Sequence, residues 1–523
     1  MAVPGLLLGL VLPLVLLVDQ SAGDVFRFAS YIDDYMVLQK EPSGAVIWGY
    51  STSLAEVVVT LTQQGKPVMK KTTYVRAYSD VWMVILDPMK AGGPYELTAQ
   101  QTTVNMNSTL FVHDVLFGDV WLCSGQSNME MTVSQIFNAT AELYNTAAYQ
   151  SVRILSLSLV QSGKELEDIA EIDLGWSTPS AENLGHGSFT YMSAVCWLFG
   201  RSLYDNLHYP IGLISSCWGG TPIEAWSSKR PLKTCGVPWM RMGSLEFVTG
   251  PREYSVLWNA MIYPLHKMTL KGVIWYQGES NQDFNRDLYN CTFPELIDDW
   301  RQTFHFGSQR QTHRLFPFGF VQLSSYETDR TSDEKFPEIR WHQTADFGYA
   351  PNIKMPNTFM AVAMDLGDRS SPFGSIHPRD KQTVAYRLLL GALAVGYGEK
   401  LLFQGPMPEK IQFMEHEGLL ILTYTQQIQV ITMDTRLFMV SCCDDYECSW
   451  IPVSILTSSV QTLTLDIHYC TGTPVAVRYA WTTWPCEYKS CPLYHPTSTL
   501  PAPPFTAVFD GQNPETQLLQ IQL

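Results

Sequence analysis

Short runs in which apolar and polar residues alternate fill the first part of the chain, from residue 24 to about residue 112. Turns rich in glycine and proline separate these runs, at 42–44, 65–67 and 92–94. Alternation with a period of two places one face of each run in a core and the other face in solvent. The pattern therefore predicts an N-terminal β-sandwich domain over residues 24–112.

Longer, fully apolar runs begin at about residue 113 and alternate with segments of helical periodicity up to about residue 402. Uninterrupted apolar runs are typical of strands that are buried on both faces, as in parallel sheets covered by helices. We therefore predict an α/β domain over 113–402, an α/β/α sandwich with parallel strands at 115–123, 211–217, 272–276, 318–323 and 359–364. Helices are predicted between them, at 191–206, 256–268, 293–304 and 378–396.

Helical periodicity ends after about residue 402, and the short strand-like runs that follow predict a C-terminal β-rich domain over 403–523. Six of the 11 cysteines fall in this part, and their spacing matches no standard zinc pattern. In an oxidising compartment such cysteines pair as disulfides, and an odd total leaves at least one thiol free. The spacing leaves the connectivity open.

An apolar run at 6–18 is followed by the small residues Ser21, Ala22 and Gly23. The run is too short to span a bilayer comfortably, so we predict a cleaved signal peptide at 1–23. Three N-glycosylation sequons agree with this route, at Asn107, Asn138 and Asn290. We expect a protein of the secretory pathway, lysosomal or secreted, with no membrane span.

The charge balance restricts the possible partners. The chain has 523 residues, 34 Lys and Arg against 50 Asp and Glu, and a net charge of −16. Binding to a phosphate backbone needs positive charge, so a nucleic-acid partner is disfavoured. The 15 Trp and 25 Tyr fit either stacking on sugar rings or packing inside the β-domains.

Two residues with hydrolase chemistry lie at the ends of predicted elements of the α/β domain. Ser127 comes directly after the strand that ends at 123, and Gly125 favours a sharp turn that projects its hydroxyl. His377 precedes Pro378, which suits the first position of the predicted helix at 378–396. The positive end of that helix would keep the imidazole a neutral base. We expect Ser127 Oγ and a ring nitrogen of His377 to lie within about 4 Å.

Groups able to stabilise an oxyanion follow two further strands. Gly219 and Gly220 come after the strand at 211–217, and paired glycines allow a backbone N–H to approach a ligand closely. Gln277 and Asn281 come after the strand at 272–276, and their side-chain amides are hydrogen-bond donors. Since ligands of open α/β sheets bind beyond the carboxyl ends of the strands, these groups are expected to meet Ser127 and His377.

The four segments resemble the conserved blocks of the SGNH (GDSL-type) hydrolases. Longer strings resemble the sialate O-acetylesterase family within that group: Gly-Gln-Ser-Asn-Met at 125–129, Gly-Gly-Thr-Pro-Ile-Glu-Ala-Trp at 219–226, Trp-Tyr-Gln-Gly-Glu-Ser-Asn at 275–281 and Ile-His-Pro at 376–378. The resemblance implies a serine esterase that removes O-acetyl groups, chiefly at the 9-position, from free or glycan-linked sialic acids. It also implies that neither a metal nor an organic cofactor is used.

The sequence departs from the SGNH pattern at the third member of the triad. SGNH hydrolases usually carry an Asp three residues before the base, and that position here is Gly374. Asp365, Asp368 and Asp380 are candidates, and a backbone carbonyl near Gly374 is the alternative. The third block also differs from the usual pattern, which leaves the choice among Gln277, Ser280 and Asn281 open.

Other functions fit parts of the pattern. The same residues would serve an esterase that acts on another acetylated sugar or on a lipid ester. A glycan-binding protein without catalysis would use the Trp-rich β-domains alone, but it would leave Ser127 and His377 without a purpose.

Overall fold

The structure is a computed structural model that describes residues 26–104, 106–238, 251–327, 334–433, 436–444, 446–508 and 515–517. The predicted signal peptide at 1–23 lies outside these residues. Within the described ranges, no helix combines the length and apolar character needed to cross a bilayer.

The N-terminal part is built from β-sheets, as the alternating pattern predicts. Its strands are β1 (Arg27–Phe28), β2 (Val37–Gln39), β3 (Val46–Tyr50), β4 (Glu56–Gln63), β5 (Lys66–Tyr74), β6 (Val81–Ile85), β7 (Gly92–Thr102) and β8 (Asn107–Gly125). One sheet has the order β1-β3-β6, and the other pairs β5, β4, β7 and β8. Strand β4 buries Val57, Val59 and Leu61 on one face, which matches its period of two.

Strand β8 joins this part to the central sheet. Its first half pairs antiparallel with β7, and its second half, up to Gly125, lies in the middle of the central sheet. The division predicted at 112/113 therefore falls inside one continuous strand.

The central sheet continues with β9 (Val152–Leu157), β10 (Ile172–Ser177), β11 (Ile211–Cys217), β12 (Gly272–Tyr276), β13 (Phe318–Gln322) and β14 (Thr358–Val362). Its order is β10-β9-β11-β8-β12-β13-β14. The strands from β9 to β14 along this path are parallel, as predicted, whereas the edge strand β10 is antiparallel to β9. The sequence pattern missed β9 because Arg153 interrupts its apolar run; the guanidinium pairs with Asp114 at 3.2 Å.

Helices complete the α/β part: α1 (Ser127–Glu130), α2 (Ala139–Tyr144), α3 (Ala181–Gly185), α4 (Ala194–Leu207), α5 (Lys229–Thr234), α6 (Tyr289–Gly307), α7 (Lys335–His342) and α8 (Lys381–Gly391). The helix predicted at 256–268 is instead a π-helical turn, Trp258–Ile262, followed by a 3₁₀ turn, Tyr263–Leu265. Pro264 lies in the second turn and has no N–H to continue a regular helix.

The C-terminal part is β-rich, as predicted. Its strands are β15 (Pro408–Met414), β16 (Leu419–Tyr424), β17 (Gln429–Val430), β18 (Phe438–Cys443), β19 (Cys448–Ser458), β20 (Thr462–Asp466), β21 (Thr473–Tyr479), β22 (Leu493–Tyr494), β23 (Phe505–Val508) and β24 (Glu515–Gln517). Eight of them form one sheet with the order β23-β21-β18-β19-β20-β16-β15-β24, in which every pair is antiparallel.

The predicted disulfides of the C-terminal cysteines are present, as Cys442–Cys470, Cys443–Cys448 and Cys486–Cys491. Two more pairs join elements of the α/β part, Cys123–Cys196 and Cys235–Cys291. The free thiol expected from the odd total is the buried Cys217. The sequence did not indicate that Cys123 and Cys196 pair, because neither is near the other in the chain.

The three sequons differ in their surroundings. Asn107 and Asn138 are exposed, whereas Asn290 is half-buried on α6. The Asn290 amide donates a hydrogen bond to the carboxylate of Asp346.

Candidate active site

Backbone geometry places Ser127 at the carboxyl end of β8. Gly125 has φ +142°, and a Cβ at this position would lie 2.1 Å from the Tyr276 carbonyl oxygen. Only glycine fits such a close approach. The next residue, Gln126, donates its N–H to the same carbonyl at 2.9 Å. The chain therefore turns sharply at the end of β8, against the end of the neighbouring strand β12, and Ser127 begins α1 at the edge of the sheet.

His377 meets Ser127 from the loop before α8. Its Nε2 lies 2.8 Å from Ser127 Oγ, and its Nδ1 lies 2.7 Å from the carbonyl oxygen of Phe373. Because a carbonyl oxygen only accepts, Nδ1 carries the proton and Nε2 presents a lone pair to the serine hydroxyl. The contact expected from the sequence is thus present. The Ser371 hydroxyl donates to the His377 carbonyl at 2.6 Å and holds the loop in shape.

None of the three candidate aspartates accepts the proton of His377 Nδ1; the arrangement present is the alternative that the sequence left open, a backbone carbonyl next to Gly374. Asp365 is buried against Arg387, with oxygen–nitrogen distances of 2.6 and 2.9 Å. Asp368 pairs with the Arg379 guanidinium at 2.6 Å.

Asp380 is also committed elsewhere. It accepts the N–H of Thr383 at 2.9 Å as the N-cap of α8, and it pairs with Lys489 at 2.8 Å. A capping acid projects toward the first turn of its own helix, away from the preceding loop. The acceptor is therefore the backbone carbonyl of Phe373, which directly precedes Gly374.

Burial sets the protonation of His377. Removal from water lowers the pKa of the imidazole below 6.5, and the charge of Lys381 acts in the same direction, while the hydrogen bond to the Phe373 carbonyl opposes them. The sequence assigned this effect to a helix that starts at Pro378. The helix in fact starts at Lys381, with Asp380 as its N-cap, so His377 lies in the preceding turn rather than at the helix end.

The amides of Gln277 and Asn281 are fully used inside the protein. Gln277 Nε2 donates to the Thr221 carbonyl at 3.1 Å and to Asn281 Oδ1 at 2.7 Å. Asn281 Nδ2 donates to Glu224 Oε2 and to the Phe284 carbonyl, both at 3.0 Å. An amide group has two N–H bonds, so neither side chain retains a donor for an oxyanion. In this arrangement the two side chains brace the strand ends, and a role of either one at an oxyanion stays a prediction.

The glycine pair does lie next to the nucleophile. A Cβ built on Gly219 would lie 3.3 Å from Ser127 Cβ, and Gly220 has φ +71°. The Gly219 N–H, however, donates to Glu130 Oε2 at 2.6 Å. Glu130 is a residue that the sequence analysis missed, although its position three residues after Ser127 places the two on neighbouring turns of the same helix face.

A buried polar network below Ser127 was missed as well. Asn128 Nδ2 donates to Glu279 Oε1 at 2.6 Å and to the Ile376 carbonyl at 2.9 Å, and Asn128 Oδ1 accepts from Lys381 Nζ at 2.7 Å. Burial raises the pKa of Glu279 and lowers the pKa of Lys381 to about 7. Asn128, the residue after the serine, is thereby hydrogen-bonded to Ile376, the residue before the histidine.

The C-terminal part supports the loop that carries His377. Tyr488 donates its hydroxyl to Asp380 Oδ2 at 2.6 Å, and the Lys489 N–H donates to the Asp365 carbonyl at 2.7 Å. Among the described residues, no three His, Cys, Asp or Glu side chains cluster in a way that would hold a metal ion.

A serine hydroxyl bonded to a histidine at the carboxyl edge of a parallel sheet is the arrangement of a serine hydrolase. Comparison with family models agrees: "Carbohydrate esterase, sialic acid-specific acetylesterase" matches residues 117–379, and "Sialate O-acetylesterase C-terminal domain" matches residues 409–509. The chain belongs to the sialic acid-specific acetylesterase family of carbohydrate esterases, and it is an esterase, as the resemblance of its motifs implied.

Individual relatives agree over the whole chain. The sialate O-acetylesterase of Homo sapiens is 69% identical over 520 residues, which cover 99% of this chain and 99% of the human protein. That of Mus musculus is 66% identical over 534 residues, covering 97% of this chain and 99% of the mouse protein. The crystal structure of a carbohydrate acetylesterase from Xanthomonas citri has a TM-score of 0.75 and 28% identity, and covers 92% of this chain and 99% of that one.

Proposed function

We propose that the protein hydrolyses O-acetyl esters of sialic acids, with Ser127 as the nucleophile and His377 as the general base. The observation that carries the proposal is the 2.8 Å contact between Ser127 Oγ and His377 Nε2. The names of the relatives supply the substrate class, because each mammalian relative is a sialate O-acetylesterase.

The proposed reaction has two halves. In the first, Ser127 Oγ attacks the acetyl carbonyl and its proton passes to His377 Nε2; the tetrahedral intermediate then expels the sugar oxygen, which takes that proton and leaves as a hydroxyl. In the second, His377 accepts a proton from water as the water oxygen attacks the acetyl-Ser127 ester; the intermediate expels Ser127 Oγ, which takes the proton back from His377, and acetate is released. Splitting the hydrolysis in this way replaces one difficult step by two easier ones.

The Phe373 carbonyl is proposed to take the role of a triad acid. It fixes the tautomer in which Nε2 is free to accept, and its partial negative charge favours the imidazolium that forms after proton transfer. A carbonyl carries less charge than a carboxylate, so this support is weaker than that of an aspartate, and the reaction depends correspondingly more on oxyanion stabilisation.

Asparagine substitutions at Asp365, Asp368 and Asp380 test this assignment. We expect each folded variant to keep a kcat on the order of 10³-fold or more above that of Ser127→Ala, because none of the three carboxylates touches His377. Asp365→Asn is expected to lose stability, since it leaves the buried Arg387 unpaired. Thermal unfolding separates the two effects, and a single variant as inactive as Ser127→Ala would restore a conventional triad.

The acid limb of the pH profile is a second expected result. The base must be neutral to accept a proton, and the pKa of His377 is held below 6.5 by burial. We therefore expect kcat/KM to rise with pH through a midpoint below 6.5, measured on an acetyl ester that does not itself titrate. A midpoint well above 6.5 would mean that another group controls the base.

Acetate release is the measurement that tests the substrate. The protein should deacetylate 9-O-acetylated sialic acid, free or glycan-linked, more efficiently than an acetylated neutral sugar. Equal efficiency on both would support a broader carbohydrate acetylesterase, which is what the Xanthomonas citri relative is called.

The disulfides of the described residues fit an oxidising environment, which is that of the secretory pathway. Within that pathway we place the protein in the lysosome or outside the cell. Burial lowers the pKa of His377, which extends the range of the neutral base toward lower pH.

A further inference from the structure

A carboxyl group that the proposed mechanism does not use lies beside the nucleophile. Glu130 is the last residue of α1, and its Oε2 accepts the Gly219 N–H at 2.6 Å. A Cβ on Gly219 would lie 2.9 Å from Glu130 Oε2 and 3.3 Å from Ser127 Cβ. The carboxyl oxygen is therefore within about 6 Å of Ser127 Cβ, where charges inside a protein interact strongly.

No cation compensates this carboxyl group. Glu130 forms no ion pair with any residue in the described part of the chain, and its one polar partner there is the Gly219 N–H. Burial raises the pKa of Glu130 to about 7, and the hydrogen bond from Gly219 opposes the rise.

The ionisable groups on the elements packed against α1 leave this balance unchanged. Strand β11 contributes Cys217, a thiol whose own pKa burial raises, so it is neutral. Strand β12 contributes Tyr276, whose pKa is raised well above its usual value. The cysteines of β8 and α4, Cys123 and Cys196, are joined in a disulfide and do not titrate.

Three further ionisable groups lie around the first turn of α1, and each has its own partner. His377 is hydrogen-bonded to Ser127 Oγ. Glu279, in the turn after β12, and Lys381, on α8, are both hydrogen-bonded to Asn128. Lys381 has its pKa lowered to about 7 by burial and is directed to Asn128 rather than to Glu130.

An ionised Glu130 conflicts with ester hydrolysis at Ser127. Attack on an acetyl carbonyl places negative charge on its oxygen, and backbone N–H groups beside the nucleophile stabilise that charge. A carboxylate on the Gly219 N–H both occupies the donor and repels the developing charge. A neutral carboxylic acid is a weaker acceptor and carries no charge.

We propose that Glu130 is a positioning residue that controls the oxyanion site through the Gly219 N–H, and that the esterase works only while this carboxyl group is protonated. The inference rests on the proposed function, because it concerns the same serine. Its consequence is an alkaline limb: activity falls as pH rises through the pKa of Glu130. Together with the acid limb of His377, this limb confines full activity to the acidic side of neutrality.

Glu130→Gln tests the proposal, since glutamine keeps the shape and an acceptor oxygen but cannot ionise. The kcat/KM for p-nitrophenyl acetate is measured across neutral pH for both proteins. We expect the wild type to lose about tenfold per pH unit above the pKa of Glu130, and the variant to lose this limb while keeping the acid limb. The effect is expected in kcat rather than in KM, because the charge opposes the transition state.

Glu447→Gln is the matched control: it removes the same charge from an exposed position directly before β19, and it should retain the alkaline limb. If Glu130→Gln does not fold, as judged by thermal unfolding, Glu130→Met provides a second uncharged variant of similar size, and it too must lack the limb. An alkaline limb unchanged in a folded, uncharged Glu130 variant overturns the proposal.

Different results would refute the proposed function and the role of Glu130. Retained activity in Ser127→Ala would refute the proposed function, whatever Glu130 does. An inactive Ser127→Ala together with an unchanged alkaline limb in Glu130→Gln would leave the proposed function intact and refute the role of Glu130 alone.

Discussion

Replacing Ser127 by alanine should abolish ester hydrolysis and leave the fold intact. Removal of the nucleophile of a serine hydrolase costs roughly 10⁴ to 10⁶ in kcat. Ser127 Oγ has its hydrogen-bond partner in His377 Nε2, so loss of the hydroxyl leaves one imidazole nitrogen, not a packed core, without a partner. The measurement is the initial rate of acetate release from O-acetylated sialic acid, with thermal unfolding as the check on folding.

Ser459→Ala is a suitable control for the serine substitution. Ser459 is exposed in the turn after β19, where its hydroxyl contacts Thr462, and its loss should leave the rate at the wild-type value. Turnover of Ser127→Ala near that of the control would show that another group is the nucleophile.

Replacing His377 by glutamine should cause a loss of similar size, on the order of 10⁴ to 10⁶ in kcat. Glutamine can occupy the space but cannot accept a proton from Ser127 in either half of the reaction. Because the two residues act as a unit, the double variant Ser127→Ala/His377→Gln should be hardly less active than either single variant. Rates of all three proteins, compared on one acetyl ester, give this non-additivity directly.

His113→Gln provides the comparison for the histidine substitution, since His113 is exposed on the antiparallel half of β8. It should keep full activity. Losses of the single variants that multiply in the double variant would mean that Ser127 and His377 contribute independently, and the acyl-enzyme mechanism would then be wrong.

Sequence patterns placed Ser127 at the end of a strand because the apolar run before it is unmistakable, and they placed His377 just before α8, although that helix begins three residues later than predicted. Strand β8 is buried from Val115 to Gly125 with few interruptions, and the glycine at its end marks a turn. Strand β9 was missed for the opposite reason, because Arg153 finds its partner Asp114 in a distant part of the chain. A periodic pattern cannot show that a charge inside a strand is paired.

For a related reason, the sequence left the support of His377 open between three aspartates and a backbone carbonyl near Gly374. Residue types reveal side-chain acceptors, and three aspartates near the histidine were reasonable candidates. The acceptor is a main-chain carbonyl, that of Phe373, which every residue possesses and no pattern distinguishes. Asp365 and Asp368 do not support His377 because each pairs with an arginine, Arg387 and Arg379 respectively. Only the folded chain brings these arginines opposite them.

The oxyanion site shows the same limit. Gln277 and Asn281 have the right functional groups, but their amide donors are taken by Thr221, Glu224 and Phe284. Whether a buried amide is free depends on the partners around it, and those come from other segments. Gly219 was placed correctly beside the serine, whereas the carboxyl group that binds its N–H was not expected.

Detection of the acetyl-enzyme tests the central claim most directly. Wild-type protein is mixed with 9-O-acetylated sialic acid, quenched within a single turnover and digested. The mass of the peptide that contains Ser127 is then measured by mass spectrometry. The account predicts one acetyl group on Ser127 that forms before acetate appears in solution, disappears as acetate is released, and is absent from Ser127→Ala. Acetate released at the wild-type rate by Ser127→Ala, with no acetyl group on Ser127 in the wild type at any time, would contradict it.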